Sequence, residues 1–187
     1  MTRYIGKVSY RAHSATPIVM GDLEVMKRWP GAPEGEVEGE LELGDDSVLG
    51  FAGSDLAAPH VFARERGVAL LIPPRSYGRK VEAPEGDALQ RLLDAPLERV
   101  FERYTLAVRS GALVITVAYN ATPEEGAPTS HLNALCFHQK VPRLPRARPA
   151  EAVYATELAL IPVPAGSYAV EMGSLDGYDC CRLGLVP

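Results

Sequence analysis

Glycine and proline recur along the whole of this chain, and their spacing limits what it can fold into. Seventeen glycines and sixteen prolines are scattered among 187 residues and are not gathered into one linker. Both residues disfavour helix interiors and are frequent in turns. We therefore expect a mainly β fold, an antiparallel β-sandwich or an open barrel with one or two short helices. The length fits one domain, and we predict a single domain over residues 1–187.

Alternation of polar and apolar residues indicates strands directly. Over residues 36–43 a glutamate stands at every even position and an apolar residue or glycine at every odd one. Successive side chains of a strand point to opposite sides, so this segment would have one buried face and one face of carboxylates. The pattern predicts a strand whose acidic face lies in solvent.

Two further segments have the pattern of β-hairpins. In each, two β-rich runs flank a tight turn: Arg109-Ser110-Gly111 within residues 104–117, and Pro164-Ala165-Gly166 within residues 154–172. The glycines are free to adopt the positive φ that such turns need. We predict a hairpin at each place, followed by an Asp176-Gly177 turn into a last strand at 180–186.

Other short elements follow from turn residues and apolar spacing. The remaining predicted strands are Tyr4–Tyr10, Pro17–Met20, Val48–Phe51, Val68–Ile72, Arg79–Glu82 and Leu132–His138. One short helix is predicted at Asp87–Asp94, with Asp87 as its cap, and another at Leu23–Trp29. Residues 121–130 and 141–149 are predicted to be loops.

Charge is unevenly distributed along the chain. The net charge is −5, which argues against a protein that binds nucleic acid by neutralising phosphates. Residues 34–46 carry seven acids and no base, whereas residues 140–148 carry four bases and no acid. We therefore expect a surface with two poles of opposite sign.

The sequence favours a cytoplasmic protein without a membrane segment. No apolar run approaches the length of a membrane span, and no apolar region follows the basic N-terminus. The three cysteines, Cys136, Cys180 and Cys181, are an odd set, and two of them are adjacent. Adjacent cysteines rarely form a disulfide with each other, so reduced thiols are expected.

Histidine and cysteine give the strongest chemical alternative. His131, Cys136 and His138 lie close in sequence, and Cys136 and His138 would share a strand face, so a zinc ion with Cys180 or Cys181 as a further ligand is conceivable. A thiol nucleophile could also be assembled from Cys180 or Cys181 with a histidine such as His60 and with Asp179. The spacing matches no standard zinc or nucleophile motif, and no phosphate-loop or dinucleotide fingerprint occurs, so no cofactor is predicted.

The acidic segment is the leading candidate for a binding surface. A solvated strand face is the ordinary interpretation, but such a stripe also steers a cationic partner toward the protein, and it protects a sheet edge from unwanted pairing. The only tryptophan, in Trp29-Pro30-Gly31, would anchor a loop on the core or serve as an exposed interface residue. The predicted binding residues are Glu36, Glu38, Glu40, Glu42, Asp45, Asp46 and Trp29.

Three segments resemble the immunity proteins of bacterial polymorphic toxin systems, in particular the Imm21-like group. They are Pro17-Ile18-Val19-Met20 followed by Trp29-Pro30-Gly31, the turn at Ser110-Gly111, and the run from Pro164 to Val170, which is also similar to the closing strand turn of competence-associated nuclease inhibitors. The long insert at 121–150 has no counterpart in this resemblance. The resemblance to these immunity proteins implies a cytoplasmic antitoxin that blocks a cognate effector by occlusion.

Three hypotheses therefore stand. The first is a binding or inhibitor protein, of the immunity type, that covers a cognate protein such as a basic toxin domain. The second is a metal-dependent or thiol enzyme that uses the region of His131, Cys136 and His138. The third is a structural β subunit that assembles with copies of itself; the sequence leaves the oligomeric state open.

Overall fold

The computed structural model describes residues 2–8, 18–29, 39–51, 59–73, 85–117, 149–155 and 158–187. In chain order the described elements are β1 (Arg3–Lys7), β2 (Ile18–Asp22), α1 (Leu23–Arg28), β3 (Gly39–Leu43), β4 (Asp46–Phe51), β5 (His60–Arg64), β6 (Gly67–Ile72), α2 (Gly86–Asp94), β7 (Arg99–Val108), β8 (Ala112–Val117), β9 (Val153–Ala155), β10 (Leu158–Pro162), β11 (Gly166–Leu175) and β12 (Tyr178–Leu185). The predicted strands at 79–82 and 132–138 and the insert at 121–150 fall mainly or wholly outside these residues.

The strands form two antiparallel sheets, each with six strands in the described part of the chain. Sheet A has the order β1-β5-β6-β12-β11-β7, and sheet B has the order β3-β4-β2-β8-β10-β9. One apolar cluster contains residues of both sheets, such as Leu70 and Val170 of sheet A and Met20 and Ile115 of sheet B. The sheets therefore face each other across a common core, which confirms the predicted β-sandwich.

A second, smaller apolar cluster lies on the outer face of sheet A. Leu92 and Leu93 of α2 pack there against Phe62, Leu71 and Cys180. Sheet A is thus buried on one side by sheet B and on part of the other by α2. This arrangement explains why all six residues of β6 are buried although a strand at a sandwich surface would alternate.

Both predicted short helices are present, and one predicted cap is wrong. Asp22 caps α1, and its carboxylate Oδ1 accepts hydrogen bonds from the backbone N–H groups of Glu24 at 2.8 Å and Val25 at 3.4 Å. The cap position of α2 is Glu85, which makes no side-chain cap bond, so Asp87 lies inside the first turn. There its negative charge interacts favourably with the positive end of the helix dipole.

Both predicted hairpins are wrong, although their strands and turns exist. The chain at 109–111 leads from β7 in sheet A to β8 in sheet B, and the chain at 163–165 leads from β10 in sheet B to β11 in sheet A. β7 pairs with β11, while β8 pairs with β10 and β2. A tight turn between two β-rich runs has the same local sequence whether the two runs pair with each other or lie in different sheets. The strands with which each run pairs determine which of the two arrangements forms.

The last predicted turn is confirmed as a true hairpin. Asp176 and Gly177 both have positive φ, 51° and 79°, and they join β11 directly to β12. Positive φ at both central positions is characteristic of the two-residue turns whose twist matches that of a strand pair. The strands at 4–10, 17–20, 48–51 and 68–72 are also present, with changed ends, while β5 and the first half of β7 were missed.

Edges of the two sheets meet on both sides of the sandwich. On one side, the Tyr154 hydroxyl of β9 donates a hydrogen bond to the carbonyl oxygen of Lys7 in β1 at 2.8 Å. On the other side, the hydroxyl of Tyr104 in β7 lies 3.4 Å from the position that a Cβ on Gly39 of β3 would occupy. The edge strands β3 and β7 therefore lie next to each other although they belong to different sheets.

Candidate functional site

The described half of the acidic segment forms an edge strand. Glu40 and Glu42 of β3 are exposed, and Leu41 between them is partly buried and packs against the main core. β3 is the terminal strand of sheet B in the described residues and pairs only with β4 there. The alternation predicted from the sequence is present over this stretch; Glu36 and Glu38 lie outside the described residues.

The two aspartates that follow this strand have different surroundings. Asp45 lies in the turn between β3 and β4 and is exposed. Asp46 is held between two arginines: its carboxylate is 2.8 Å from a guanidinium nitrogen of Arg28 and 3.2 Å from one of Arg109, and its side chain is only 15% exposed. Asp46 thus joins α1, β4 and the crossover after β7, and its charge is already compensated within the chain.

A tyrosine links the acidic strand to the adjacent edge of sheet A. The Tyr104 hydroxyl donates a hydrogen bond to the carboxylate of Glu102 at 2.6 Å. This bond raises the pKa of Tyr104 to about 12, with further contributions from burial and from the negative charges of Glu102 and Glu40. Glu102 is exposed, so its carboxylate adds to the acidic surface on the β7 side.

We name the surface formed by Glu40, Glu42, Asp45 and Glu102 the acidic edge. No ion pair involving these residues is found in the described part of the chain. Glu102 was not singled out from the sequence. The alternation of β7 places Glu102 and Tyr104 on one face, but only the sandwich brings that face beside β3.

Trp29 belongs to the core. It is 4% exposed, is part of the main apolar cluster, and ends α1 by donating its backbone N–H to the carbonyl of Val25 at 3.0 Å. Of the two alternatives drawn from the sequence, the structure has the core anchor, because a buried indole offers almost no surface to a partner. Trp29 therefore has a packing role in this structure.

The two described cysteines face opposite sides of β12, and both are buried. Cys181 points into the main core and Cys180 into the cluster under α2. Burial raises the pKa of the Cys180 thiol to about 11 and that of Cys181 far above its ordinary value. Both side chains are therefore neutral thiols at neutral pH, which does not suit a nucleophile.

The register of sheet A tests the combination of Cys180 with His60. Both residues pair with Leu71 of β6, so they lie in one row across the sheet with Leu71 between them. Two strand spacings amount to about 10 Å, which is beyond hydrogen-bond distance. The sheet therefore does not place His60 as a base for the Cys180 thiol.

The other proposed ligands, His131, Cys136 and His138, lie outside the described residues. Within the described ranges, no group of three or more His, Cys, Asp or Glu side chains could hold a metal ion. His60 is buried at 6% exposure, and its ring contacts Tyr4, with the centroids 5.8 Å apart.

A polar cleft of about 410 Å³ lies between the β5–β6 turn and the end of α2. Its lining includes two arginines and two acids, Arg64, Glu65, Arg66 and Asp94. Arg64 is already bonded to the carboxylate of Asp94 and to the carbonyl oxygen of Leu93, at 3.1 Å for the latter. The formal charges of the two arginines and the two acids in this lining sum to zero.

Comparison with known proteins yields no relative. No protein-family model, curated protein or solved structure matches the chain. Among the described residues, neither helix has the length or the apolar character needed to cross a bilayer.

Proposed function

We propose that this chain is a binding protein of the inhibitor type, an immunity protein that neutralises a cognate toxin by covering its surface. The acidic edge is the contact surface in this proposal, and a basic domain is its partner. The mechanism is occlusion with charge complementarity and involves no bond-making step.

One observation carries the proposal: the exposed carboxylates of Glu40 and Glu42 lack cationic partners in the described part of the chain, whereas Asp22 and Asp46, which are less exposed, have partners there. Asp46 is paired with Arg28 and Arg109. Asp22, which is 3% exposed, accepts three backbone hydrogen bonds. Asp22 and Asp46 thus have partners inside the chain, and the carboxylates of Glu40 and Glu42 remain available to another molecule.

The position of these carboxylates suits recognition. Glu40, Glu42 and Glu102 lie on paired edge strands of a packed sandwich, and a backbone already ordered by pairing loses little ordering entropy on binding. Several like charges on one surface also attract a cationic partner over about 10 Å at moderate ionic strength and raise the rate of association. An inhibitor that must reach its target quickly benefits from both properties.

The chemistry of the described residues agrees with a role at the surface. The buried thiols Cys180 and Cys181 are not ionised at neutral pH, and the polar cleft beside α2 has compensated charges. Free buried thiols are typical of a reducing compartment, and we propose that the protein acts in the cytoplasm.

The test uses the product of the gene adjacent to that of this chain, purified as the candidate partner. The toxic activity of this partner is measured with and without the chain. The rate of its association with the chain is measured by stopped-flow fluorescence at low and at physiological ionic strength. The expected results are loss of the activity at a stoichiometric amount of this chain and an association rate that falls as salt is added. The double variant Glu40→Gln with Glu42→Gln should associate about tenfold more slowly at low salt.

A matched control is the double variant Glu85→Gln with Asp87→Asn. It removes the same number of charges from α2, on the outer face of sheet A, where both side chains are exposed. Its association rate should stay close to that of the wild type. Equal rates for wild type and the Glu40/Glu42 variant would remove the acidic edge from the mechanism, and a partner that keeps its activity in the presence of the wild-type chain would contradict the immunity function.

A further inference from the structure

We propose that strand β1 is an acid-sensitive latch: protonation of the buried His60 imidazole releases β1 from the edge of sheet A and uncovers the edge of β5. This inference concerns the stability of one sheet edge and does not depend on the proposed partner. It follows from how His60 is enclosed and from the position of β1 at the edge of sheet A in the described residues.

His60 is the first residue of β5, and its ring is enclosed although β1, beside it, is the edge strand of the described part of sheet A. Nδ1 lies 3.1 Å from the hydroxyl of Tyr4. Nε2 is buried and has no hydrogen-bond partner among the residues that the structure describes. One ring nitrogen thus has a partner and the other has none.

Protonation worsens this arrangement. The neutral ring carries one N–H group, and its hydrogen bond with Tyr4 can form in either direction. The charged ring carries two N–H groups, so both nitrogens become donors and Nε2–H has no acceptor. The buried Nε2–H group then lacks an acceptor, and the ring carries a full charge away from water. Both the missing hydrogen bond and the buried charge are unfavourable.

The charges around the ring oppose protonation as well. Lys7 of β1 pairs directly with His60 in the register and carries a positive charge, and Tyr4 of the same strand is neutral. On the other side, β6 presents the apolar Leu71. From sheet B, Tyr154 reaches β1 through its neutral hydroxyl. Burial and the charge of Lys7 accordingly lower the pKa of His60 below its ordinary value of 6.5.

The sign of the pH effect follows. The pKa of His60 is lower in the folded chain than its unfolded value of 6.5. The contribution of His60 to stability is therefore complete above pH 6.5, and it is lost as the pH falls from 6.5 toward the folded value. Acidification therefore destabilises the surroundings of His60, and the element that can leave at least cost is affected first.

β1 is that element. It is five residues long, borders sheet A, and has an irregular register between Tyr4 and Gly6. Its pairing with β5 continues through the backbone N–H of Val8, which donates to the carbonyl of Pro59 at 3.1 Å. Beyond this strand pairing, Ile5 and the adjacent Val8 pack on the main core, and Tyr4 contacts the ring of Phe62. Tyr154 packs its ring on Gly6 and bonds the backbone of Lys7 through its hydroxyl. Release of so short an edge strand requires only local opening of the sandwich.

Two measurements test the latch on the whole chain. An NMR titration of the imidazole protons follows His60, and hydrogen exchange, expressed as protection factors to remove the intrinsic pH dependence, follows the Val8 amide. We expect His60 to titrate below 6.5, its ordinary pKa. We also expect the protection factor of Val8 to fall between about pH 7.5 and about pH 5, while the amides of β8 keep theirs.

Two variants separate the latch from general acid unfolding. His60→Phe keeps a ring without a titratable group and should abolish the pH dependence at Val8. Lys7→Gln keeps His60 but removes the opposing charge, so its titration should move to higher pH and the loss of protection should become smaller. Arg3→Gln is the control, because it removes a cation from the same strand at a position that pairs with Ala63 and not with His60.

Two results would overturn the proposal. One is an imidazole that titrates at or above its ordinary value in the folded chain. The other is a Val8 protection factor that stays constant with pH, or that falls in parallel with those of β8. If His60→Phe does not fold, the comparison of Lys7→Gln with Arg3→Gln decides alone, since identical behaviour of these two variants contradicts the latch.

Discussion

The backbone N–H of Val163 donates a hydrogen bond to the carbonyl oxygen of Gly111 at 2.9 Å, and this bond joins the two crossovers of the sandwich. Gly111 has a φ of 72°, which lets the chain turn from sheet A into sheet B within three residues. The Tyr168 hydroxyl donates to the carbonyl of Pro164 in the second crossover at 2.6 Å. Together these bonds fasten the two sheets at one end of the core.

Asp22 is the side chain on which this end of the sandwich most depends. Its Oδ1 caps α1, and its Oδ2 accepts the backbone N–H of Ser110, in the first crossover, at 2.7 Å. We predict that Asp22→Ala lowers the free energy of unfolding by about 2–3 kcal/mol, because a helix cap and a charge-assisted bond are both lost in a buried place. Urea denaturation monitored by circular dichroism measures the loss.

The matching control is Asp87→Ala, which removes an acid from the first turn of α2, inside the helix and not at its cap position. Its cost should stay below about 1 kcal/mol, since only an interaction with the helix dipole is lost. Equal losses for the two variants would mean that Asp22 acts only as a charge near α1. The bond to Ser110 would then contribute nothing to the attachment of the crossover.

The crossovers also show what the sequence could and could not predict about the fold. Alternation and turn residues correctly placed β3, β8 and the β11–β12 hairpin, because strand formation and two-residue turns are local properties. The same signals misassigned the turns at 109–111 and 163–165, because β7 and β8 find different partners at residues far along the chain. Strand pairing in a sandwich is settled by the whole core, which a local pattern does not contain.

The candidate site divides in the same way. Exposure of Glu40 and Glu42 followed from alternation, since it depends only on which side of β3 a residue occupies. The ion pairs of Asp46 with Arg28 and Arg109 could not be predicted from alternation, because they form only where α1 and the first crossover meet at β4. The proximity of Tyr104 to β3 was equally invisible, since these strands lie in different sheets.

Arg182 offers a test of how α2 is attached. Its guanidinium donates to the carbonyl oxygens of Ala95 and Leu92, the latter at 2.6 Å, and so caps the end of the helix from β12. We predict that Arg182→Met costs about 2 kcal/mol of stability, because two partly buried carbonyls lose a charged donor. Arg91→Met changes an exposed residue in the last turn of the same helix and should lower the free energy of unfolding by at most about 0.5 kcal/mol.

Hydrogen exchange shows whether this loss is local. In Arg182→Met the amides of α2 should exchange faster than those of β8, while Arg91→Met should leave the two sets in their wild-type order. Uniform acceleration across both elements would indicate that Arg182 stabilises the sandwich as a whole and does not act as a cap.

The buried thiol of Cys180 should make the chain sensitive to alkali. Its pKa rises from 9.0 to about 11 on folding, so the stability it contributes is complete below the unfolded value and is lost as the pH rises from 9.0 toward the folded value. Cys180→Ala should therefore show a smaller decrease in the urea midpoint between about pH 8 and about pH 10 than the wild type. Identical slopes for the two proteins would contradict a thiol that stays neutral because of burial.

Thiol labelling supplies an independent measure of the same burial. In a Cys136→Ser background, Cys180 and Cys181 should react with a disulfide reagent at about pH 8 only at the rate of local or global opening, and at once in denaturant. Fast labelling of either residue in the native chain would show an exposed thiolate that the structure does not have.

The acidic edge has a second role that can be separated from partner binding. β3 borders sheet B in the described residues, and an unpaired strand edge invites pairing with another chain unless charge prevents it. We predict that Glu40→Val with Glu42→Val produces concentration-dependent dimers or larger species, because repulsion is removed and β propensity is raised together. Multi-angle light scattering after size exclusion measures the mass against that of the wild type. The control, Glu85→Val with Asp87→Val, adds the same side chains at the start of α2 and should leave the mass unchanged. Association of both variants would be an effect of surface hydrophobicity. Association of neither variant would show that the carboxylates of β3 do not protect this edge.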